Sequence, residues 1–347
     1  MSQSKKTIIV SGGGTGGHIY PALAVARKIE GKGYSVIYIG SGSGLERDFV
    51  DMKNMYLLPT VGWVNKNLLG KIIFVFRFIP GFFFSIWLII RKKVCAVFHT
   101  GAFASLPVSM AAVILGVPVF TLVLDSKPGK AVNFLSRFSK EVFLPYEEDF
   151  PSLRGRKKVV TGIPVRDELT RGKYGEAVNY FSLMPGKKTL LVIGGSRGAK
   201  FLAELSEKLI PLMKKDWQFI IQRGDFKIVS DHEWVRQFSF IDRMELAYAL
   251  GDVIISRAGA SATAEIENTG IPAVLIPYPY AFRDHQFFNA KRLAFIRNNI
   301  IIKREKEVEV KNFPELIETL YGEKISVNES TSTEKVVERI LEYVRKV

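Results

Sequence analysis

The sequence predicts an α/β protein with two domains, each built on a parallel sheet, and three observations carry that prediction. The chain has 347 residues, whereas a single hydrophobic core rarely grows past roughly 250–300 residues. Short continuous apolar runs alternate with helical stretches, which is typical of parallel sheets covered on both faces. A strand, a glycine-rich loop and a helix start follow one another twice, at residues 7–26 and again from residue 189.

The predicted strands fall into two series, and each series indicates one Rossmann-like domain. The first series comprises residues 7–11, 35–40, 94–99, 118–124, 141–144 and 159–161, and the second comprises residues 189–194, 218–222, 252–256 and 272–277. The segment at 162–166 contains Gly and Pro and is the expected linker. We therefore predict one domain over residues 1–162 and another over 163–332. An amphipathic helix at 333–347 follows, able to pack on either domain.

The loop at residues 12–17 is the first candidate binding site. It consists of five glycines and one threonine, and a helix with Pro21 in its first turn follows it. Glycines let the backbone approach a bulky ligand, and a helix N-terminus offers unpaired N–H groups, so a phosphate is the expected ligand. A tight turn without a ligand is the alternative, but His18 directly after the loop is titratable and poorly explained by packing. The second strand ends in Gly40-Ser41-Gly42-Ser43, without the acidic residue that a dinucleotide site needs.

Composition restricts the partners. Lysine and arginine number 49 against 34 aspartates and glutamates, so the formal net charge is +15 and an anionic partner is expected. No nucleic-acid partner is expected, because no recognisable binding motif accompanies the basic residues.

The single cysteine, Cys95, rules out an internal disulfide and indicates a reducing compartment. Residues 1–6 lack the apolar segment of a signal peptide, so we expect a cytoplasmic location.

Residues 68–90 interrupt the alternation with a strongly apolar stretch. Pro80-Gly81 is expected to break it, and its uncharged part, residues 78–90, falls short of the roughly 18–20 residues that a membrane span needs. Three interpretations are open: two amphipathic core helices, a surface that docks at a membrane interface, and a true span. The flanks favour docking through residues 63–93, because tryptophans suit the headgroup zone and basic residues meet anionic lipid. These flanking residues are Trp63, Trp87, Lys66, Lys71, Arg77, Arg91, Lys92 and Lys93.

The second half of the chain holds two further candidate sites. After the strand at 252–256, residues 257–265 form a turn of small residues that runs into a helix, whose N-terminus can take a diphosphate. Glu265 lies about two turns along, where a carboxylate can accept hydrogen bonds from sugar or ribose hydroxyls. Further on, Asp284 can cap a helix whose first turn holds His285 and Gln286. For Glu265 taken alone, a solvated helix glutamate is the alternative, and for the stretch at Asp284 it is an ordinary helix start.

Together these motifs resemble the MurG family of bacterial N-acetylglucosaminyltransferases. The resemblance rests on residues 12–24, 194–199, 256–265 and 284–290, in order along nearly the whole chain. It implies a GT-B fold, in which two Rossmann-like domains face each other across a cleft and the C-terminal helix packs back on the N-terminal domain. It also implies an inverting transfer of N-acetylglucosamine from UDP-N-acetylglucosamine to the C4 hydroxyl of lipid I, undecaprenyl-pyrophosphoryl-N-acetylmuramoyl-pentapeptide, which gives lipid II for peptidoglycan.

The resemblance implies a role for each site residue. Arg166 would contact the donor phosphate or uridine, Ser196 the diphosphate and Ile241, through its backbone, the uracil. Glu265 would hold the ribose hydroxyls and Gln286 the sugar hydroxyls. The remaining donor residues would be Thr15, Gly16, Gly17, Asp125, Gly259, Ala260, Ser261, Ala262, Thr263 and Ala264. The acceptor pyrophosphate would bind at Gly13, Gly14, Thr15, Gly16 and Gly17. His18 is the first candidate for the general base and Asp125 the second.

The resemblance further implies a peripheral enzyme at the cytoplasmic face of the plasma membrane, without a bound metal or other cofactor. One alternative is a related GT-B glycosyltransferase that acts on another membrane lipid, such as diacylglycerol; the loop with His18 favours lipid I. A nucleotide- or NAD-binding protein without catalysis is the other alternative, and it leaves residues 256–265 and 284–290 without a role. The chain departs from the family pattern at residues 122–126, at Ile163 and at Arg197.

Overall fold

The computed structural model describes residues 5–42, 46–60, 68–101, 103–148, 150–153, 157–166, 168–169, 172–227, 230, 232–327 and 330–346. The chain divides into two compact units, Met1–Arg166 with Ser330–Val347, and Asp167–Glu329. The predicted boundaries lay after residues 162 and 332, whereas the observed ones lie after 166 and 329. The expected linker packs in the first unit, because the Arg166 guanidinium lies over the Tyr20 ring and the Thr333 hydroxyl donates to the Val165 carbonyl.

Unit 1 is built on a parallel sheet, which confirms the predicted fold class. Its described strands are β1 (Thr7–Ser11), β2 (Ser35–Ser41), β3 (Met55–Leu58), β4 (Val94–His99), β5 (Val119–Leu122), β6 (Glu141–Leu144) and β7 (Lys158–Val160). They lie in the order β3-β2-β1-β4-β5-β6-β7. The central strands are buried on both faces, as their near-continuous apolar sequences require. Strand β3 was not predicted.

Helices connect these strands on unit 1. They are α1 (Gly16–Gly31), α2 (Glu46–Phe49), α3 (Leu68–Arg91), α4 (Ser105–Ile114) and α5 (Lys130–Leu135). Helix α1 is rich in alanine and buries a broad face, with Ile19, Leu23 and Val25 in the core. It follows β1 directly, so its first turn lies at the carboxyl edge of the sheet.

Unit 2 repeats the same architecture. Its described strands are β8 (Lys188–Ile193), β9 (Trp217–Gln222), β10 (Val235–Phe238), β11 (Val253–Ser256), β12 (Ala273–Leu275) and β13 (Ile300–Ile302). They form a parallel sheet in the order β10-β9-β8-β11-β12-β13. Its helices are α6 (Tyr174–Phe181), α7 (Lys200–Leu209), α8 (Met244–Leu250), α9 (Ala260–Thr269), α10 (His285–Ile296) and α11 (Phe313–Leu320). Strands β10 and β13 were not predicted.

The last helix, α12 (Ser332–Lys346), packs on unit 1. Its apolar stripe, which includes Val336, Ile340 and Val344, is fully buried. Beside this stripe, the buried carboxylate of Glu141 at the start of β6 accepts hydrogen bonds from Arg339 and from the Tyr343 hydroxyl. Lys157 adds an ion pair of 2.9 Å to the same carboxylate. Burial alone would raise the pKa of Glu141, but these partners outweigh it and hold the pKa below its ordinary value of 4.5.

Helix α3 corrects two expectations for residues 68–90. One continuous helix passes through Pro80, so neither the break at Pro80-Gly81 nor the pair of core helices is observed. Pro80 lies on the exposed side, where water can solvate the carbonyl that lacks a donor. Gly81, Ser85 and Leu88 repeat at helical spacing and face the core. By length and composition alone, Ile73–Arg91 could cross a membrane, and 22% of it is buried against the protein.

We predict that Glu141→Gln destabilises unit 1. The substitution keeps the side-chain shape but removes the charge that pairs with Arg339 and Lys157, so we expect the free energy of unfolding to fall by about 2 kcal/mol. Urea unfolding at neutral pH measures this, with Glu338→Gln on the exposed face of α12 as the matched control.

The pH dependence gives a second check on the same variant. Because the folded pKa of Glu141 is lowered, its contribution is present above the unfolded value near 4.5 and is lost as the pH falls through the folded value. The difference between wild type and Glu141→Gln should therefore shrink as the pH is lowered below about 4.5. A difference that is zero at pH 7, or that grows on acidification, would contradict this account.

Candidate active site

The candidate residues of unit 1 lie at the carboxyl edge of its sheet. Strand β1 leads into the glycine loop, β4 into Thr100 and β5 into Asp125. Strand β4 pairs with both β1 and β5, so the loops after these three strands are neighbours. Open α/β sheets bind ligands at this edge.

The glycine loop has a conformation that its sequence requires. Thr15 is the N-cap of α1, and Gly16 and Gly17 form the first turn of the helix. Gly14 has φ +83°, which favours glycine. A Cβ on Gly12 would lie 2.6 Å from the Ala22 Cβ and from the His18 carbonyl oxygen, so strand and helix approach too closely for any side chain there. The loop therefore presents backbone rather than side chains.

His18 is held in a defined tautomer. Its Nδ1 lies 2.8 Å from the Thr100 carbonyl oxygen, and the Thr100 hydroxyl donates to the His18 carbonyl at 3.0 Å. A carbonyl oxygen only accepts hydrogen bonds, so Nδ1 carries the proton of the neutral ring and Nε2 carries the lone pair. The imidazole is half-buried. His18 is thus oriented as a base, with Thr100 as its positioning partner.

A second imidazole lies behind His18. His99 ends β4, is fully buried, and its Nε2 lies 2.8 Å from the Thr121 hydroxyl. Burial, with a smaller effect from the charge of His18, lowers its pKa to about 3. His99 is therefore neutral at physiological pH and adds no charge beside His18.

Asp125 and Arg166 both belong to unit 1. Asp125 is half-buried in the loop between β5 and α5. Arg166 follows β7, and its guanidinium lies 4.6 Å from the centroid of the Tyr20 ring, a stacking contact that a cation favours. Since Tyr20 is two residues after His18 on α1, Arg166 lies beside the helix that follows the glycine loop. It was expected in the second domain with the other donor residues.

The loops of unit 2 are joined by a buried glutamine. Ser196 lies in the glycine loop between β8 and α7. Gln222, at the end of β9, donates from Nε2 to the Gly195 carbonyl at 2.8 Å. Its Oε1 accepts from the backbone N–H of Ile241 at 3.4 Å. Gln222 therefore links the predicted diphosphate loop to the predicted uracil segment, and the Ile241 N–H is already engaged.

Helix α9 carries the densest group of predicted residues. Gly259 is its N-cap, and Ala260, Ser261 and Ala262 form the first turn. Thr263 is buried, and its hydroxyl turns back to the Gly259 and Ala260 carbonyls. Its backbone N–H donates to the Gly259 carbonyl at 2.9 Å, so both of its donors are engaged within the helix. Ala264 is buried as well.

Glu265 is 7% exposed, and the Tyr248 hydroxyl donates to its Oε2 at 3.0 Å. Because Glu265 is buried and bonded, the solvated-helix alternative for it is wrong.

The turn before the helix is held by Arg257, which is buried and donates to the carbonyls of Ile276 and Pro277.

Gln286 lies in the first turn of α10, after a strained segment. Arg283 and Asp284 both have positive φ, at 53° and 56°, and Asp284 is paired with Arg304 at 2.8 Å. The Gln286 Oε1 accepts the Tyr278 N–H at 2.9 Å. Strained non-glycine backbone of this kind concentrates at functional sites.

Each unit thus carries its own group of predicted residues, in the loops and helix starts that follow its strands. The group on unit 1 is Gly13, Gly14, Thr15, Gly16, Gly17, His18, Asp125 and Arg166, and the group on unit 2 is Ser196, Ile241, Gly259 to Glu265 and Gln286. Sequence reasoning missed the partners Thr100, Gln222, Tyr248 and Arg257. Only Gln222 gave a signal, as a polar residue that ends an apolar strand. In the part of the chain that the structure describes, His, Cys, Asp and Glu form no cluster of three or more that could hold a metal.

Two parallel-sheet units, each with a strand, a glycine loop and a helix N-terminus, are the architecture of the GT-B class of glycosyltransferases. Family models agree: residues 8–144 match the N-terminal domain of glycosyltransferase family 28, and residues 189–344 match its C-terminal domain.

The chain also resembles individual proteins over nearly its whole length. It is 34% identical to the UDP-N-acetylglucosamine–N-acetylmuramyl-(pentapeptide) pyrophosphoryl-undecaprenol N-acetylglucosamine transferase of Sulfurihydrogenibium sp. strain YO3AOP1, over 97% of this chain and 98% of the relative. It is also 34% identical to the enzyme of the same name from Bacillus subtilis strain 168, over 94% and 92%. The crystal structure of Acinetobacter baumannii MurG matches with a TM-score of 0.72 and 26% identity, over 97% and 99%. The chain therefore belongs to glycosyltransferase family 28, with the MurG N-acetylglucosamine transferases.

We predict that Gln222→Leu weakens UDP binding about tenfold. Leucine fills the same space but leaves the Gly195 carbonyl and the Ile241 N–H without their shared partner, and each loss in a buried site costs about 1 kcal/mol or more. Calorimetric titration with UDP measures the change. Gln237→Leu on the adjacent strand β10 is the control, since the only described hydrogen bond of the Gln237 side chain goes to the Ser230 carbonyl. Equal UDP affinities for both variants would show that the Gln222 link has no part in the donor site.

Proposed function

We propose that this chain transfers N-acetylglucosamine from UDP-N-acetylglucosamine to the C4 hydroxyl of lipid I, giving lipid II with inversion at the anomeric carbon. The names of the full-length relatives support the two substrates. The observation that carries the chemistry is the fixed His18 tautomer, with Nδ1 donating to Thr100. It supplies a lone pair beside a loop suited to an anionic acceptor.

Unit 2 would hold the donor. The first turn of α9 and the loop with Ser196 direct backbone N–H groups and helix-dipole charge toward a diphosphate. The Glu265 carboxylate would accept hydrogen bonds from the ribose hydroxyls, and the Tyr248 hydroxyl orients this carboxylate. Because the Ile241 N–H already binds Gln222, its carbonyl is the group for the uracil. Gln286 would contact the sugar from a turn that its own bond to Tyr278 stabilises.

Unit 1 would hold the acceptor and the base. The turn from Thr15 to Gly17 would bind the pyrophosphate of the acceptor, and Arg166 would add positive charge nearby. His18 Nε2 would take the proton of the C4 hydroxyl as that oxygen bonds to the anomeric carbon. The bond from the anomeric carbon to the UDP oxygen breaks in the same displacement, so UDP leaves with the bonding pair. Asp125 is the second candidate for the base.

We propose that this reaction proceeds without a bound metal. The charge that develops on departing UDP would be stabilised by backbone N–H groups at the start of α9 and around Ser196, which are preorganised donors. Arg197 in the same loop adds a positive side chain. No step then needs a cation.

We predict that His18→Ala and Glu265→Ala impair different parts of the reaction. In an assay of labelled N-acetylglucosamine transfer to a lipid I analogue with EDTA present, His18→Ala should lower kcat by about 100-fold or more. Glu265→Ala should mainly raise the donor KM, by about tenfold or more, because it removes charged hydrogen-bond acceptors. His232→Ala and Glu233→Ala, an exposed pair elsewhere on unit 2, serve as matched controls.

Other outcomes of that assay decide between the proposals. Full activity of His18→Ala would exclude His18 as the general base and leave Asp125 as the candidate. Loss of wild-type activity in EDTA, restored by Mg²⁺, would refute the metal-free step. Transfer to diacylglycerol but not to the lipid I analogue would leave the donor site intact and refute the acceptor.

We also propose that the enzyme docks on the cytoplasmic face of the plasma membrane through α3. One face of this helix exposes large apolar side chains, namely Ile73, Val75, Phe76, Ile79, Phe83, Trp87 and Ile90. Phe76 is 71% exposed and Phe83 63%. Arg77, Arg91, Lys92 and Lys93 are exposed around this face and suit anionic headgroups. Trp63 and Lys66, also expected to take part, lie outside the described residues, as does the side chain of Lys71.

We predict that two kinds of change in α3 weaken vesicle binding. Arg91→Glu with Lys92→Glu and Lys93→Glu should reduce binding to anionic vesicles at least tenfold, most at low salt, since each basic residue contributes about 1 kcal/mol. Phe83→Ser with Trp87→Ser should reduce it at every salt concentration. Phe295→Ser, a 90% exposed apolar residue on unit 2, is the control in a vesicle co-sedimentation assay. Unchanged binding of both α3 variants would refute docking through this helix.

A further inference from the structure

A buried carboxylate lies inside the glycine loop of unit 1. Glu46 begins α2, just after β2, and its side chain is fully buried. Its Oε1 accepts hydrogen bonds from the Gly14 N–H at 2.9 Å and from the Ser41 N–H at 2.6 Å. The side chain therefore joins the loop after β1 to the end of β2. No role for Glu46 followed from the sequence motifs.

The neighbouring glycines make room for this carboxylate. A Cβ on Gly13 would lie 1.9 Å from the Glu46 Oε1, and a Cβ on Gly40 would lie 2.7 Å from its Cγ. An alanine at either position would displace the Glu46 side chain from its buried position. Gly13 and Gly40 thus leave room for the buried Glu46 side chain, besides forming the backbone turn.

A second tie from β2 holds the other end of the loop. The Tyr38 hydroxyl donates to the Gly12 carbonyl at 2.8 Å in a buried contact. Gly12 is thereby bonded to β2 and Gly14 to Glu46 at the start of α2, on either side of Gly13. Gly14 has φ +83°, so the direction in which the chain leaves toward Thr15 depends on this short segment. That direction sets where the first turn of α1, with His18, begins.

The bond to Gly14 also divides the loop by function. A glycine-loop N–H is the kind of group that binds a phosphate oxygen, but the Gly14 N–H is occupied by Glu46. We therefore do not assign the Gly14 N–H to the acceptor pyrophosphate, although Gly13 and Gly14 were both expected to contact it. The contact falls to the turn from Thr15 to Gly17, at the N-terminus of the 16-residue helix α1.

We propose that Glu46 is a positioning residue for the acceptor diphosphate: by holding the Gly14 N–H from inside, it fixes the turn at Thr15 to Gly17 that receives the diphosphate. This inference rests on the proposed acceptor. The role needs the reach and the acceptor oxygen of the side chain rather than its charge. Indeed, a negative charge at this place would oppose a diphosphate, so charge alone cannot be its contribution.

Two variants separate reach from charge. Glu46→Gln keeps the length and an acceptor oxygen but removes the charge, whereas Glu46→Asp keeps the charge and shortens the side chain by one methylene. We expect Glu46→Gln to have an acceptor KM within about twofold of wild type. Glu46→Asp should raise it by about tenfold, which is the effect of losing one buried hydrogen bond. The donor KM should stay within about twofold in both. Glu30→Ala, exposed on α1, is the control.

Hydrogen–deuterium exchange of the peptide spanning residues 8–22 tests the tie without any substrate. Glu46→Asp should speed exchange there, while Glu46→Gln and Glu30→Ala should not. The opposite order, with Glu46→Gln impaired and Glu46→Asp like wild type, would overturn the proposal, and so would equal changes in the acceptor and donor KM. If wild type does not use the lipid I analogue, the proposed acceptor fails, and the exchange pattern still decides whether Glu46 holds the loop. Melting temperatures within a few degrees of wild type show that both variants fold.

Discussion

The pair of hydrogen bonds between His18 and Thr100 is the interaction on which the candidate chemistry of unit 1 depends. It joins the first turn of α1 to the residue after β4, and it settles which imidazole nitrogen carries the lone pair. This pairing is possible only because β1 and β4 are adjacent and parallel, so that both end at the same edge. It also requires Gly12, since any side chain there would separate α1 from β1. Gly12 at the end of β1 and His18 in α1 are thus both needed for the same arrangement.

The sequence predicted the fold well where local pattern and tertiary burial agree. Strands β1, β4 and β6 have the predicted bounds, because each is a continuous apolar or β-branched run buried on both faces. Strands β3, β10 and β13 were missed because they are only three or four residues long and lie at or near sheet edges. The break expected at Pro80 was wrong because its ring and the carbonyl that it leaves unbonded face solvent.

The candidate site was predictable only in part, for a similar reason. Residues that act through backbone and helix ends, such as Thr15, Ser196 and Gly259, are visible in the sequence because glycines and small residues surround them. Their partners Thr100, Gln222 and Tyr248 come from other elements and are ordinary residues in local context. Glu46 illustrates the difficulty: in the sequence it comes after the end of β2, yet its side chain reaches back to the Gly14 N–H of the loop. Only the folded chain brings such residues to the site.

The two units secure their glycine loops from neighbouring positions but with different chemistry. In unit 2 the tie comes from Gln222 at the end of β9, and in unit 1 it comes from Glu46 at the start of the helix that follows β2. Strands β2 and β9 each pair with the strand that leads into the loop. Unit 1 uses the carboxylate of Glu46 on a loop N–H, and unit 2 uses the amide of Gln222 on the Gly195 carbonyl. A neutral amide leaves the positive potential of unit 2 intact, which suits a donor whose diphosphate gains charge as it departs. The acceptor diphosphate keeps its charge throughout the proposed transfer, so on unit 1 a fixed loop geometry matters more than the strongest potential, and a carboxylate is tolerated there.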